Sequence, residues 1–404
     1  MSEPVPTPDE LVARAAALRP RLIENQADTE ERRYFSPDLH EAFLEAGFYD
    51  LYVPRRYGGL EYDVPTWVRV IQEIARGCPS TAWCLGLSMN HALQVASWFP
   101  ESAQEAIFAG GDFRAGSVAA PVGTITPTDD GWQIDGKVSF ASGSPYATYY
   151  LGQAFRESDN GGDPELMLFL APRSEWEMLD DWGDLIGLKG SGSHSIRFDG
   201  TRIPADWAMP GNMGDMPVEG GTHGSRLHGN PMYSGRAMVI FTVSLAAVMV
   251  GGVWGALDEY ERLMRTKMTA FPPIRPRISD ETNQRWYGRA YTRLRTAEAA
   301  MHDCARQHME RCRANVEDGD PYTYGEDHAL AGIAREVMLA CWDIMNHDIW
   351  ETVGASVLRD DARLTRIFRD LSIGAAHRNP QQREFFWGEI ARAKLGEPRA
   401  VWGY

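Results

Sequence analysis

The stretch Gly131–Tyr150, GWQIDGKVSFASGSPYATYY, decides how this chain is read. Trp132–Ile134 and Lys137–Phe140 alternate apolar and polar residues. Asp135-Gly136 between them predicts a two-residue hairpin turn, because both turn positions take positive φ. The second strand runs into Ala141-Ser142-Gly143-Ser144-Pro145. Small hydroxyl residues and a glycine at a strand end let the backbone approach a flat ligand and offer it O–H and N–H donors. The same residues also suit a plain sheet edge closing in a polar loop, so the rest of the chain has to decide.

Around this stretch, from about Asp112 to Trp207, short strand-like runs recur at Tyr149–Phe155, Leu166–Ala171 and Gly190–Phe198, and Thr201-Arg202-Ile203-Pro204 closes the section. Their spacing predicts a small β-barrel or sandwich. The preceding residues read as helical. Glu10–Asn25 and Leu39–Ala46 are amphipathic, and Ser36-Pro37 supplies a cap and a first-turn proline. Pro65–Arg76 and the mostly apolar Ser80–Phe99 follow, with Ser80 expected as an N-cap. Ala208–Arg236 is rich in Gly, Met, Pro and His and reads as structureless, either a lid or an exposed insertion. Beyond it the helical period returns in Ala237–Met264, Asp280–Val316, Glu326–Val353 and Asp361–Lys394. The expected organisation is therefore α+β, mainly α: a helical domain (1–111), a β domain (112–208), a loop (209–236) and a helical bundle (237–404).

With 404 residues the chain is long enough for two or three domains. A formal net charge of −16 argues against nucleic acid and against an anionic membrane surface, both of which need basic patches. The acidic, proline-rich start MSEPVPTPDE has neither secretory nor transit character. Five cysteines without a CxxC pair fit a reducing compartment, so the expectation is cytoplasmic. Ala237–Leu257 carries no charge and is long enough to cross a bilayer, yet its many Gly, Ala, Ser and Thr residues suit a helix buried on all sides.

Cys304, His308 and Cys312 recur every four residues with zinc-ligand spacing, but Met301, Ala305 and Val316 extend the same stripe, which reads as core. The glycine-rich Gly187–Ser193, GLKGSGS, lacks the P-loop pattern, and GxGxxG, GxSxG and HExxH are absent. Two histidines stand out. His91 lies within an apolar helix, and His377 lies within the last helical segment, where Asn379-Pro380 interrupts the pattern and lets it point into a cavity.

The YVPRRYGG connector (Tyr52–Gly59), GWQIDGKVSFASG, IGLKGSGSHSIRFDGTRIP and Arg366-Ile367-Phe368-Arg369-Asp370 occur in an order that resembles the acyl-CoA dehydrogenase superfamily along nearly the whole chain. That resemblance implies the fold of helical domain, β domain and helical bundle. In the dehydrogenases a glutamate eight residues after the Arg-Asp pair removes an α-proton from an acyl thioester. Here Arg378 holds that position, and a guanidinium does not act as a base. The chain looks more like the oxygenase components of two-component flavin-dependent monooxygenases, through CPSTAW (Cys78–Trp83), His91, Ser117, GKVSFASG, GLKGSGS, Asn230-Pro231-Met232-Tyr233 and His377.

In that family a separate NAD(P)H:flavin reductase supplies FMNH2 or FADH2. The oxygenase reacts it with O2 to a C4a-hydroperoxide and hydroxylates an aromatic or heteroaromatic small molecule. By the same resemblance Ser142 binds flavin N5, His91 and Ser117 line the substrate cavity, and His377 serves the oxygen-reacting edge. Ser117, Gly143, Gly192 and Ser193 lie beside the flavin, Arg265 and Gln284 reach its phosphates across a subunit boundary, and the assembly is a homotetramer. Two other readings follow from the same fold: an FAD-dependent acyl-CoA dehydrogenase, and a non-catalytic flavin-binding or assembly module.

Overall fold

The computed structural model describes residues 5–158 and 160–400. Helices begin where a capping side chain or a proline meets an apolar period. At α1 (Pro8–Ala17) the Thr7 hydroxyl accepts from the Glu10 N–H while Glu10 takes the Thr7 N–H, a capping box. The helix expected over Glu10–Asn25 is interrupted, because Pro20 removes a backbone donor and starts α2 (Arg19–Glu24). Then come α3 (Gln26–Arg32), α4 (Pro37–Glu45, capped by Ser36), α5 (Val64–Gly77, capped by Asp63), α6 (Pro79–Trp98) and α7 (Glu101–Phe108). Ser80 is not the cap of α6: Cys78 holds that position without a side-chain bond, and the Ser80 hydroxyl turns elsewhere.

The β domain comprises β1 (Ala115–Ser117), β2 (Gly123–Pro127), β3 (Gly131–Val138), β4 (Tyr149–Arg156), β5 (Glu165–Pro172), β6 (Glu177–Met178), β7 (Ile196–Pro204) and β8 (Ala208–Pro210). They form one sheet in the order β6-β7-β3-β2-β4-β5-β8, with β1 beside β4. The hairpin expected at Asp135-Gly136 is absent. Residues 131–138 run as a single strand, and the true hairpin joins β2 to β3, where the Thr128 N–H meets the Gly131 carbonyl at 2.9 Å. Asp135-Gly136 is instead a bulge, at which the register against β7 shifts between Ile134 and Gly136. Gly136 has φ +148°, and a Cβ there would collide with the Val122 carbonyl oxygen. A strand paired on both edges has no room to turn, so tertiary pairing overrides the local signal. Gly190–Ser195 is likewise loop rather than strand, with pairing beginning at Ile196.

The segment after β8 is not structureless. It carries α8 (His223–His228) and a short turn at Pro231–Ser234. His228 meets Gln104 Oε1 at 2.8 Å, and the Tyr233 hydroxyl donates to the Tyr52 carbonyl at 3.2 Å. These bonds hold the segment against the N-terminal helices. The C-terminal bundle contains α9 (Ala237–Thr266), α10 (Glu281–Arg313), α11 (Tyr324–Asp343), α12 (Glu351–Val353), α13 (Arg363–Ala376), α14 (Arg378–Gln381) and α15 (Arg383–Leu395). Among the described residues α9 alone is long and apolar enough to cross a membrane, and 83% of its most apolar window is buried within the protein. It packs against α5, α6, α10, α11 and α13. The Cys304–His308–Cys312 stripe faces this interior, with Cys304 Sγ against the Leu330 carbonyl and His308 Nδ1 at 3.1 Å from the Tyr322 hydroxyl. The last segment breaks earlier than expected, at His377, where the backbone turns extended after α13.

One buried carboxylate ties the three parts together. Asp370 of α13 accepts the Leu188 N–H at 2.6 Å from the β-domain loop and the Ser80 hydroxyl at 3.0 Å from the start of α6. Burial pushes its pKa up to about 7. Between roughly pH 4 and 7 the folded chain therefore keeps a proton that the unfolded chain has released, so this group's contribution to stability falls as pH rises through that window. Asp370→Asn cannot ionise. Thermal melts should show the variant gaining on wild type from pH 4 to pH 7 and holding level above it, and a gap independent of pH would refute the assignment.

Candidate functional site

Helix α6 carries one wall of the site. Trp83 donates its indole N–H to Ser142 Oγ at 3.1 Å, Ser142 Oγ meets Ser193 Oγ at 2.7 Å, and Ser193 Oγ meets Ser191 Oγ at 2.8 Å. All four side chains are buried. Three hydroxyl protons serve two serine–serine bonds, which leaves one O–H unspent. Run from Ser142 toward Ser191, the chain of bonds leaves a lone pair on Ser142 for an incoming N–H. Run the other way, it leaves the Ser142 proton for an incoming acceptor. That versatility suits a ring nitrogen that changes protonation with redox state, so these residues fit a flavin.

The backbone around the serines is held in uncommon conformations. Phe140 (φ +68°) and Leu188 (φ +51°) are left-handed without being glycine, and such strain persists only where its surroundings enforce it. Asp370 holds the Leu188 N–H. Gly143 (φ +82°) lies so near α6 that a Cβ would sit 2.9 Å from Ser88 Cβ. Gly192 (φ +57°) donates to the Arg33 carbonyl at 2.9 Å and accepts from the Ser144 hydroxyl at 3.1 Å. Phe140 remains 61% exposed, its ring 5.7 Å from Trp182.

His377 stands edge-on to Trp83 with ring centroids 5.4 Å apart, which brings it to the same corner as Ser142. The surrounding protein lowers its pKa toward the neutral form. The residue itself is exposed. Next to it Arg378 is exposed. His91 is enclosed. Its Nδ1 lies 2.8 Å from the Ala115 carbonyl, which fixes the tautomer with Nδ1–H donating and Nε2 as the acceptor. Desolvation depresses its pKa to about 4. Ser117 pairs with Ser142 through the backbone, and its hydroxyl faces Met213 Sδ at 4.0 Å.

Thus Ser142, Gly143, Gly192, Ser193, His377, Ser117 and His91 gather where α6, β1 and the two β-domain loops meet. Arg265 and Gln284 do not join them within one chain. Arg265 pairs with Glu261 on the surface, and Gln284 donates to the Ile278 carbonyl. The sequence reading missed the indole of Trp83 as the donor to Ser142, and Ser191 as the end of the hydroxyl chain. Both lie in quoted motifs, CPSTAW and GLKGSGS, but nothing in one dimension pairs them. Trp83 also opens onto a narrow crevice between α5, α6 and α9, lined by Trp67, Ala82, Gly86, Leu87, Ser244, Leu245 and Val248.

Family models described as acyl-CoA dehydrogenase N-terminal domain and acyl-CoA dehydrogenase C-terminal domain match residues 10–107 and 243–382. A pigment production hydroxylase of Rhodococcus sp. is 29% identical over 380 residues, covering 92% of each chain. The p-hydroxyphenylacetate 3-hydroxylase oxygenase component of Acinetobacter baumannii is 23% identical, covering 92% of this chain and 86% of that one. Among solved structures, the HsaA monooxygenase of M. tuberculosis superposes with a TM-score of 0.86 at 22% identity over 98% of this chain and 99% of that one. XiaF of Streptomyces sp., solved with FADH2 and glycerol, superposes at 0.84 and 21% over 98% of both chains. At those identities the structures establish the fold.

A neutral His91 has a measurable consequence. With its pKa near 4, the imidazole is uncharged throughout the physiological range. Binding of a phenol followed by tryptophan fluorescence should show no inflection from His91 between pH 5.5 and 8. An inflection near the ordinary histidine value that His91→Gln abolishes would show that the ring is charged where it works.

Proposed function

The chain belongs to the acyl-CoA dehydrogenase superfamily, the two matched models together spanning more than half of it, and we propose that it is the oxygenase component of a flavin-dependent monooxygenase that hydroxylates an aromatic small molecule. The observation that carries the reading is the convergence of the Trp83–Ser142–Ser193–Ser191 hydrogen-bond chain and His377 at one corner of α6. A scaffold that only binds or assembles has no use for an unspent hydroxyl proton beside a histidine.

Bound reduced flavin supplies the electrons that activate O2. Ser142 would hold the flavin ring by accepting its N5–H, with Trp83 fixing the position of the serine oxygen. His377, neutral at pH 7, would offer a ring N–H as a hydrogen-bond donor to developing negative charge on oxygen. His91 Nε2 would accept a hydrogen bond from the phenolic hydroxyl and polarise it, since its other nitrogen is committed to the Ala115 carbonyl. The apolar walls of α5, α6 and α9 keep water away from the reacting atoms.

The dehydrogenase alternative needs a carboxylate base at this corner. Arg378 occupies that position in sequence and points to solvent, and buried Asp370 is engaged by Leu188 and Ser80. A separate reductase supplies the flavin, in keeping with relatives described as oxygenase components or subunits. The exposed Phe140, Ile186 and Phe271 support a homotetramer, in which Arg265 and Gln284 meet the flavin of a neighbouring subunit. Five free, buried cysteines support a cytoplasmic setting.

Stopped-flow mixing of the protein and reduced FMN or FAD with oxygenated buffer tests the reading. O2 consumption stimulated by an aromatic, with no anaerobic flavin reduction by acyl-CoA thioesters, is the expected result, and direct reduction by a thioester overturns it. Ser142→Ala should leave flavin affinity within a few-fold, one neutral hydrogen bond being worth about 0.5–1.5 kcal/mol. It should divert O2 to H2O2. His377→Ala should slow the oxygen half-reaction by about 10²–10³-fold with the fold intact. Coupling unchanged in both variants would move the chemistry elsewhere.

A further inference from the structure

Beside the Asp370 junction lies an open recess of about 570 Å³, a volume within the range of small-ligand sites. Seven of its eight lining residues are charged, the exception being Ile186. Such a lining suits neither an aromatic substrate nor a flavin ring, whose sites are mostly apolar. Glu30 comes from α3 and Lys189 from the loop between β6 and β7. The connector before α13 adds Arg359, Asp360 and Asp361, and α13 itself adds Arg366 and Arg369. Four cations thus meet three carboxylates, in a chain whose net charge is −16.

Pairing within the recess is uneven. Arg369 is fully engaged, donating to the two oxygens of Glu30 at 2.7 and 2.9 Å and to Asp360 at 2.7 Å. Arg359 meets Asp361 only at 3.7 Å, and with both side chains about four-fifths exposed, water screens the pair. Arg366 brings Nε to 3.4 Å from Glu30 but without the alignment of a hydrogen bond. Among the described residues the half-buried Lys189 has no carboxylate within 4.0 Å. The incompletely paired charge is therefore positive, carried by Lys189 and Arg366, with exposed Arg359 lining the same opening.

We propose that this recess binds a phosphoryl group, as free phosphate or a phosphate monoester, between Lys189 and Arg366, with Arg359 on the third side. A tetrahedral dianion presents oxygens to donors from several directions, which a planar carboxylate does not. The Arg366 fork suits two of those oxygens side by side, and the Lys189 ammonium acts as a point charge. Glu30 opposes the anion little, because Arg369 already holds it, and the Asp360 side chain is 99% exposed to screening water. Lys189 follows Leu188 and Arg369 precedes Asp370, the two ends of the 2.6 Å bond that joins the β-domain loop to α13. Gly187 packs so closely there that a Cβ would lie 2.0 Å from the Arg369 carbonyl oxygen. An anion held by Lys189 and Arg366 bridges that loop and α13 a second time, bracing the junction on which Ser193 and His377 depend. The site stands on the recess itself and does not rest on the monooxygenase reading.

The test is calorimetric titration of the full-length protein with inorganic phosphate, 5′-AMP and adenosine, at about pH 8, where the phosphoryl group is a dianion, and at fixed ionic strength. Phosphate and AMP should bind and adenosine should not. Tighter binding of AMP assigns the site to a monoester, and tighter binding of phosphate to the free ion. Lys189→Gln, which has no ion-pair partner to lose, should weaken both by about tenfold or more, as should Arg366→Gln. Arg202→Gln, which removes an exposed cation of β7, should change neither. Phosphate should also raise the thermal midpoint of wild type more than that of Lys189→Gln. One equivalent of reduced FMN, added under argon, should leave phosphate binding in place. Its loss would make the recess the seat of the flavin's own phosphate and overturn a separate site. Absence of phosphate and AMP binding, or equal weakening by Arg202→Gln and Lys189→Gln, overturns the proposal as well.

Discussion

The Asp370 carboxylate is the point on which the site depends. It holds α13, the start of α6 and the β-domain loop at Leu188 by two hydrogen bonds in the protein interior. Each functional group is a short walk from that junction: Trp83 three residues beyond Ser80, Ser193 five beyond Leu188, His377 seven beyond Asp370. The left-handed backbone of Leu188 makes sense in this light. A strained loop end is kept in place by a bond to its own N–H, and the serine that follows is set against Ser142 as a result. Side chains drawn from three domains would otherwise be placed loosely, and a looseness of an ångström is costly in a preorganised site.

Much of this architecture was legible in one dimension. The helical and β sections, the buried central helix and the gathering of Ser142, Ser193, His91 and His377 all follow from periodicity, turn residues and the motifs of the acyl-CoA dehydrogenase superfamily. The reading failed where long-range pairing outweighed local preference. Asp135-Gly136 is a strong hairpin signal in isolation, yet β3 is hydrogen-bonded on both edges and absorbs the glycine as a bulge. Ser80 has the chemistry of an N-cap, but it lies inside α6, and its hydroxyl donates to a carboxylate 290 positions away. His377 ends its helix before Asn379-Pro380, because the residue before the break already takes extended dihedrals.

Other features left no trace in the sequence. An indole donor and a serine acceptor 59 residues apart look like two unrelated motif members until α6 is laid against the β domain. The charged recess is hidden for a different reason. Lys189, Arg359 and Arg366 come from separate segments, where each reads as an ordinary surface cation, and only their convergence singles them out. Arg265 and Gln284 mark a third limit: within one chain they engage Glu261 and the Ile278 carbonyl and do not join the site.

Helix α6 divides its labour between two faces. Cys84, Ser88 and His91 look toward the β domain, where Gly143 and the Ala115 carbonyl leave no slack for change. Leu87 and Asn90 look toward α9, while Trp83 serves both sides, lining the crevice and donating to Ser142. Exchanges at Leu87 and Asn90 change what meets α9 and leave the contacts of the first face in place. One helix thus serves as a wall of two different interiors.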